Sequence, residues 1–245
     1  MTATAVGPVS RLRGSCTSLF VAAAFLCCAA PAHAEVGTTV SIYSDLRFRG
    51  YSLSEGRPVG IFDFAYDDPS GLYAGASAIG VLRSGGDPAP LGVQLTGGYA
   101  KRLQSGTTLD FGITHSSYSH YSSGGRGSSY TELYAGIARG RVSSRISLSP
   151  HYFESGRWSA YAEVNGSISP ARKWSIDGHV GVHVPLRTPS NERYRAEMDW
   201  RLGASRELGR LSLHAAWSDG TPGYDFYRGR RHSRSALVLG ATWIF

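Results

Sequence analysis

The sequence predicts an all-β fold: a transmembrane outer-membrane antiparallel β-barrel of about twelve strands, preceded by a cleaved N-terminal signal peptide. Three observations lead there: an export signal at the N-terminus, apolar residues that alternate with polar ones, and connections that alternate between short and long. Only 18% of the 245 residues are charged and 31 are Gly, which favours short strands and turns over a disordered chain. No apolar run of about 20 residues lies beyond the N-terminus, so a helical membrane protein is excluded.

Residues 1–34 have the regions of a secretory signal peptide. Arg11 and Arg13 supply the positive charge, residues 19–30 (LFVAAAFLCCAA) form the apolar stretch, and Ala32-His33-Ala34 is a small-residue cleavage site. We expect export through the Sec pathway, cleavage after Ala34, and a barrel domain over residues 35–245.

Two other interpretations of this segment are a membrane anchor and a lipoprotein. The apolar stretch is short for spanning a bilayer, and Leu26 stands before Cys27 where lipid attachment needs a small residue. All three cysteines of the chain lie within residues 1–34, so the mature chain has no disulfide and no Cys ligand for zinc. Loss of Arg11 and Arg13 lowers the formal net charge from +7 to +5, and for an exported chain this basic balance does not indicate nucleic acid.

From residue 35 onward the dominant periodicity is two, as in strands whose faces differ. In the segment 193–205, Met198, Trp200 and Leu202 share an apolar face while Asp199 and Arg201 lie on the other. Each such segment is long enough for a tilted strand across a bilayer. The predicted strands are 38–46, 58–67, 71–82, 91–103, 107–118, 129–139, 142–153, 158–169, 174–186, 193–207, 210–218 and 234–245.

The connections between these segments are short and long in turn, with 154–157 as an exception. Short turns on one rim and longer loops on the other are typical of a bacterial outer-membrane barrel, and an even strand number places both termini on the periplasmic rim. A soluble two-sheet sandwich is the competing fold. The small and aliphatic apolar faces, with Trp or Tyr near segment ends, favour the membrane barrel instead.

The chain ends at Phe245, with Trp243 and other apolar residues at alternate positions before it. This pattern resembles the terminal-strand signal read by the outer-membrane barrel assembly machinery, so we expect that machinery to be a partner.

Two short motifs resemble those of the TorF-like porin family (the Gcw_chp family). Residues 44–52 (SDLRFRGYS) are similar to the family's S-D-Y-R-F-R-G-x-S, and residues 71–75 (GLYAG) to its G-x-Y-x-G. Leu46 replaces the family's aromatic residue, which indicates a divergent member. The resemblance implies a porin and gives a role to Asp45, Arg47, Arg49 and Gly50.

The candidate functional residues are charged side chains of the lumen or its mouth. Asp45, Arg47 and Arg49 are expected on one face of the first strand, where they either pin the loop 47–57 or filter solutes. In the loop 219–233, basic residues are expected to draw in anions or to bind lipopolysaccharide phosphates. The other lumen candidates are Arg102, Asp110, Glu132, Arg145, Glu163, Asp177, Arg195, Glu197, Asp199 and Arg201, and those of the mouth are Arg228, Arg230 and Arg231.

The functional prediction is a monomeric passive channel for small hydrophilic, including anionic, solutes, with no cofactor and no nucleic acid. The alternatives are a closed structural barrel whose loops contact lipopolysaccharide or another partner, and a membrane hydrolase. No G-x-S-x-G nucleophile motif is present. His179 and His183 share a strand face but lie about 13 Å apart at about 3.3 Å per residue, too far to bind one metal ion.

Overall fold

The computed structural model describes residues 34–119, 128–153, 155–187, 195–221 and 235–245. All of its regular elements are strands. In this described part of the chain, no helix combines the length and apolar character that crossing a bilayer requires. The predicted signal peptide lies outside the described residues except for Ala34, and β1 begins at Glu35.

Twelve strands close into one antiparallel barrel, in which every strand pairs with its neighbour in sequence and the first barrel strand pairs with the last. A separate two-stranded hairpin, β2 and β3, stands between the first two barrel strands. The elements are β1 (Glu35–Tyr43), β2 (Arg47–Phe48), β3 (Tyr51–Ser52), β4 (Val59–Asp67), β5 (Leu72–Leu82), β6 (Pro88–Arg102), β7 (Thr107–Tyr118), β8 (Ser128–Arg139), β9 (Val142–Ser149), β10 (Trp158–Ile168), β11 (Trp174–Arg187), β12 (Glu197–Leu208), β13 (Leu211–Gly220) and β14 (Ala236–Ile244).

The barrel closes through β1, which pairs with β4 from Glu35↔Asp67 to Tyr43↔Val59 and with β14 from Thr39↔Ile244 to Tyr43↔Gly240. This closure confirms the predicted twelve-stranded antiparallel barrel. It also satisfies the backbone hydrogen bonds that an open sheet edge would leave unpaired in lipid.

The two rims differ in the length of their connections. One rim carries both ends of the barrel and the turns 68–71, 103–106, 140–141, 169–173 and 209–210. The other rim carries the connections 44–58, 83–87 and 150–157, of which 83–87 equals 169–173 in length and the other two are longer. At this rim, β7 and β8, β11 and β12, and β13 and β14 are separated by 9, 9 and 15 residues of sequence. The predicted exception at 154–157 disappears, because β9 ends at Ser149 rather than at residue 153.

The barrel is apolar on the outside, and its inside combines buried polar and charged side chains with one apolar cluster. On β12, Met198, Trp200 and Leu202 are 43–57% exposed, whereas Asp199 is 6% exposed. The same alternation on the other strands surrounds the barrel with exposed large apolar side chains, and a continuous apolar surface of this kind is not typical of a soluble monomer. The outer surface therefore has the character of a lipid-facing band.

The first strand differs from the prediction in a way that changes the interior. It was expected over 38–46 but ends at Tyr43, and Ser44 donates its backbone N–H to Leu239 O before the chain leaves the wall. Asp45, Arg47 and Arg49 therefore do not share a strand face. They belong to a segment that turns into the barrel, because its apolar side chains find an apolar inner wall there.

Candidate functional site: an inward hairpin and the lumen wall

Residues 47–52 form a tight hairpin, in which Arg47 pairs with Ser52 and Phe48 with Tyr51. Its two turn residues both have positive φ, 47° at Arg49 and 80° at Gly50. Positive φ at both central positions defines a type I′ turn, which glycine favours at the second. The turn places Arg49 at the tip of the hairpin.

The carboxylate of Asp45 holds the base of the hairpin together. It accepts hydrogen bonds from Ser52 Oγ at 2.5 Å, Ser54 Oγ at 2.8 Å and the backbone N–H of Gly56 at 3.2 Å. Arg47 Nε donates to its second oxygen at 2.5 Å. Asp45 is 6% exposed, and a buried carboxylate is stable only when paired and hydrogen-bonded as here.

The apolar side of the hairpin is buried against one side of the inner wall. Leu46, Phe48 and Leu53 are no more than 7% exposed. They belong to one core cluster with inward residues of β4 to β8, and the ring of Phe48 lies 5.8 Å from that of Tyr130. The other wall members of the cluster include Ile61, Ile79, Val81, Leu91 and Tyr118, and Tyr152 joins the cluster from the connection 150–157.

The tip residue Arg49 reaches the wall between β8 and β10. Its Nη2 lies 2.8 Å from the Glu132 carboxylate, and its Cζ lies 3.9 Å from the ring centroid of Tyr161 and 5.2 Å from that of Tyr152. Burial raises the pKa of the Tyr152 hydroxyl to about 12, so this loop tyrosine faces the guanidinium as a neutral ring. The Arg49 side chain is only 5% exposed.

The hairpin also touches the wall on its other side. Tyr51 Oη donates to the carboxylate of Glu197 at the start of β12. A Cβ added at Gly50 would lie 3.1 Å from Asp199 Cβ and 3.5 Å from Gly220 Cα. The hairpin therefore lies in the interior between the apolar cluster on β4 to β8 and the wall of β12 and β13.

The wall facing the hairpin carries paired charges. Arg145 donates to Asp110 at 3.0 Å, and Arg201 Nη2 lies 2.8 Å from Asp177 Oδ2. His179 Nε2 lies 3.0 Å from Asp199 Oδ1, and that carboxylate also accepts a hydrogen bond from Tyr161.

A pocket of about 50 Å³ lies between the hairpin and this wall, room for a few water molecules. Its polar lining comes from the hairpin and from β9 to β13, and includes Arg47, Arg145, Glu163, Asp199, Arg201 and Ser218. In the described ranges, no group of three or more His, Cys, Asp or Glu residues is arranged to hold a metal ion.

The predicted site residues fall into three groups. The structure brings eleven of them into the interior, and their roles in transport stay predictions. Arg102 is exposed at the end of β6 on the short-turn rim, and Arg195 is exposed just before β12. Arg228, Arg230 and Arg231 lie outside the described residues. The eleven interior residues are Asp45, Arg47, Arg49, Asp110, Glu132, Arg145, Glu163, Asp177, Glu197, Asp199 and Arg201.

Sequence reasoning missed the aromatic partners of Arg49. Tyr152 was placed in a strand but lies in the connection 150–157, and Tyr161 was not singled out. The sequence does contain a signal for Tyr161: it lies on the polar face of its strand, and an aromatic residue on that face points into the barrel. The barrel-assembly candidates Trp243 and Phe245 are 44% and 67% exposed.

A closed twelve-stranded barrel with an apolar outside, a charged inside and unequal rims defines the outer-membrane porin-like class of folds. Within that class, residues 28–244 match the family model described as "Bacterial protein of unknown function (Gcw_chp)", and the chain belongs to this family. This finding confirms the resemblance seen in residues 44–52 and 71–75.

Two solved structures illustrate the likeness of fold. The KdgM porin superposes with a TM-score of 0.52 at 7% identity, covering 85% of this chain and 99% of that one. The NanC porin superposes with a TM-score of 0.56 at 10% identity, covering 86% of this chain and 100% of that one. At these identities the likeness concerns the fold alone. A search of curated proteins gives no match.

Proposed function

We propose that the protein is an outer-membrane porin, a passive diffusion channel for small hydrophilic solutes. The observation that carries the proposal is the polar and charged part of the inner face of a closed barrel whose outer face is apolar. This lining includes the hydrogen-bonded Thr39, Asp63 and Ser77 and, on the wall facing the hairpin, the ion pairs of Arg145 and Arg201. Such a lining suits water and solutes, whereas the outside suits lipid.

The preference for anions predicted from the basic loop 219–233 stays a prediction, since Arg228, Arg230 and Arg231 lie outside the described residues. Within the described interior, each pore-facing arginine has a carboxylate partner. The pairs are Arg47 with Asp45, Arg49 with Glu132, Arg145 with Asp110, and Arg201 with Asp177. Paired charges of both signs support a channel of modest ion selectivity.

A second candidate function is a closed barrel whose loops contact lipopolysaccharide or another partner. One observation favours it: the hairpin 47–52 lies inside the barrel between the apolar cluster on β4 to β8 and the wall of β12 and β13, with a pocket of about 50 Å³ beside it. In this function the hairpin would close the lumen permanently.

Planar-bilayer recording separates the two candidates. The wild-type barrel is compared with a variant in which residues 46–53 are replaced by a Gly-Ser-Gly-Ser linker. Asp45 and Ser54 are hydrogen-bonded at 2.8 Å, so the short linker closes the gap. The matched control replaces residues 84–86, in another connection of the same rim, by a linker of equal composition.

Conductance steps from the wild-type barrel support the porin function, and we expect larger steps from the hairpin-less variant. If the hairpin-less variant gives conductance steps and the wild-type barrel gives none, the result supports the closed barrel. If neither folded protein conducts, the porin proposal is wrong.

We further propose a non-enzymatic monomer that leaves the cytoplasm by the Sec pathway and reaches the outer membrane through the barrel assembly machinery. Outer-membrane lipid and lipopolysaccharide would surround its apolar band. Hydrolysis of phospholipid by the purified barrel, abolished by one Ser substitution, would contradict the non-enzymatic part.

A further inference from the structure

The lumen wall carries an anionic group framed by aromatic rings. Glu132 on β8 is 2% exposed, and its carboxylate faces the space between Tyr161 on β10 and Tyr152 in the connection 150–157. The two tyrosines are 4% and 8% exposed. A carboxylate beside aromatic faces is the arrangement that binds organic cations, through charge attraction and cation–π contact.

This wall site is filled by a residue that does not belong to the wall. Arg49 enters from the tip of the hairpin, with Nη2 at 2.8 Å from Glu132 and Cζ at 3.9 Å from the Tyr161 centroid. Among the described residues, Arg49 is the only ion-pair partner of Glu132. Arg49 Nη1 is buried without a hydrogen-bond partner in that same set, so the chain's own guanidinium fills the site without using all of its donors.

We propose that Glu132, Tyr152 and Tyr161 form a binding site for small organic cations of the guanidinium or alkylammonium class, which Arg49 occupies in cis. The three residues belong to the inner wall and to the connection 150–157. Because Arg49 fills their site, the hairpin is held inside the barrel. That this site lies on the route of a transported solute rests on the proposed channel function. The binding of cations at the site does not depend on that function.

The donor set favours an organic cation over a metal ion. A Ca²⁺ ion takes about six to eight oxygen ligands, whereas this site offers one carboxylate and ring faces. A planar guanidinium is weakly hydrated, donates in a fork to a carboxylate and stacks on aromatic rings. The pocket beside the hairpin is lined by both Arg49 and Tyr161, so a solute in the lumen reaches the edge of the site.

Removal of Arg49 should leave the Glu132 carboxylate buried and uncompensated, which destabilises the barrel unless another cation enters. The test uses the full mature barrel in detergent, with Arg49→Ala as the main variant and Arg49→Ala combined with Glu132→Gln as the variant that lacks the anionic group. Arg57→Ala is the matched control, because Arg57 lies in the same connection but is ion-paired locally with Glu55 at 4.0 Å and is 27% exposed.

Thermal unfolding is followed in guanidinium chloride or tetramethylammonium chloride at low millimolar concentration, against sodium chloride of equal ionic strength. We expect a saturable rise in the melting temperature of Arg49→Ala, with little change for the wild type and Arg57→Ala. The rise should vanish in the double variant, since the attraction comes from the Glu132 carboxylate.

No rise for Arg49→Ala, or an equal rise in the double variant, would overturn the proposal. If Arg49→Ala does not fold, Arg49→Gln serves in its place, because it removes the charge but keeps more of the side chain than Ala does. If the barrel binds these cations but never conducts, the channel function is contradicted and the proposed cation site is still supported.

Discussion

The ring of Tyr118 lies directly against Gly92, its partner on the neighbouring strand, so that a Cβ at position 92 would fall 2.5 Å from Tyr118 Cδ1. The same relationship occurs in three other register pairs of the inner wall. In each, a tyrosine covers a directly paired glycine, which packs an aromatic ring flat on the wall and links adjacent strands. The three other pairs are Tyr43 with Gly240, Tyr73 with Gly98, and Tyr134 with Gly112.

A methyl group at Gly92 should destabilise the barrel. In Gly92→Ala the new Cβ meets the Tyr118 ring and Ser117 O at 2.9 Å, so the ring or the strand has to move. Overpacking of this kind costs about 1–3 kcal/mol. Urea unfolding in lipid vesicles, followed by tryptophan fluorescence, measures the loss.

Gly178→Ala is the matched control for this substitution, because a Cβ at Gly178 on β11 meets no atom within 4 Å. Its unfolding free energy should stay close to that of the wild type. Equal losses in Gly92→Ala and Gly178→Ala would show that the ring contact does not constrain position 92.

Loss of the Asp45 charge should loosen the hairpin. In Asp45→Asn the ion pair with Arg47 becomes a hydrogen bond from the guanidinium to a neutral amide, which weakens the base of the hairpin by about 1.4 kcal/mol or more. Trypsin cleavage after Arg47 and Arg49 should then be about tenfold faster, since cleavage follows the open population. Mass spectrometry of the fragments locates the cut.

The control is Asp87→Asn, in the exposed connection 83–87 of the same rim. It should leave cleavage after Arg47 and Arg49 at the wild-type rate. Protection of these bonds in Asp45→Asn would mean that apolar packing alone keeps the hairpin inside.

Charge reversal at Arg145 and Arg201 should shift ion selectivity toward cations. Each arginine is 12–14% exposed and paired with one carboxylate, so Arg145→Glu with Arg201→Glu changes the local charge by four units. We expect the reversal potential in a potassium chloride gradient to move toward the potassium equilibrium potential. Arg139→Glu, exposed at the end of β8, is the control, and an equal shift there would place the selective region elsewhere.

The C-terminal residue should matter for assembly rather than for stability. Phe245 is 67% exposed, so Phe245→Ala removes little packing, yet it alters the proposed recognition signal. Cells producing this variant should accumulate less folded barrel in the outer membrane, measured by heat-modifiable electrophoretic mobility. Phe62→Ala, at a 48% exposed outward position on β4, should accumulate normally if the signal is specific.

The start of the mature chain is open to a direct test. Mass spectrometry of the exported protein should give Glu35 as the first residue, because Ala32 and Ala34 suit the signal peptidase. In Ala34→Arg, a large charged residue occupies the cleavage position, and uncleaved precursor should accumulate. A mature protein that begins elsewhere would contradict the domain boundary at 34/35.

The barrel could be predicted from sequence because its pattern is local. On β12, alternation of Met198, Asp199, Trp200 and Arg201 assigns each side chain to lipid or lumen without knowledge of other strands. The inward turn of the hairpin could not be predicted from sequence, because it depends on an apolar surface that belongs to strands distant in sequence. Leu46, Phe48 and Leu53 contact that surface only in the folded barrel. Glycine at position 50 indicated a turn, but not the direction in which the turn points.

The hairpin also bears on the order in which the molecule assembles. Tyr51 and Glu197 are 146 positions apart in the sequence, and Arg49 and Glu132, which are in contact, are 83 positions apart. Contacts of such long sequence separation form late, because loop-closure entropy opposes them until the intervening strands are in place. Burial of the N-terminal motif therefore reports that folding of the barrel is complete. A chain whose residues 47–52 are protected from proteolysis has already brought together strands from β8 to β13.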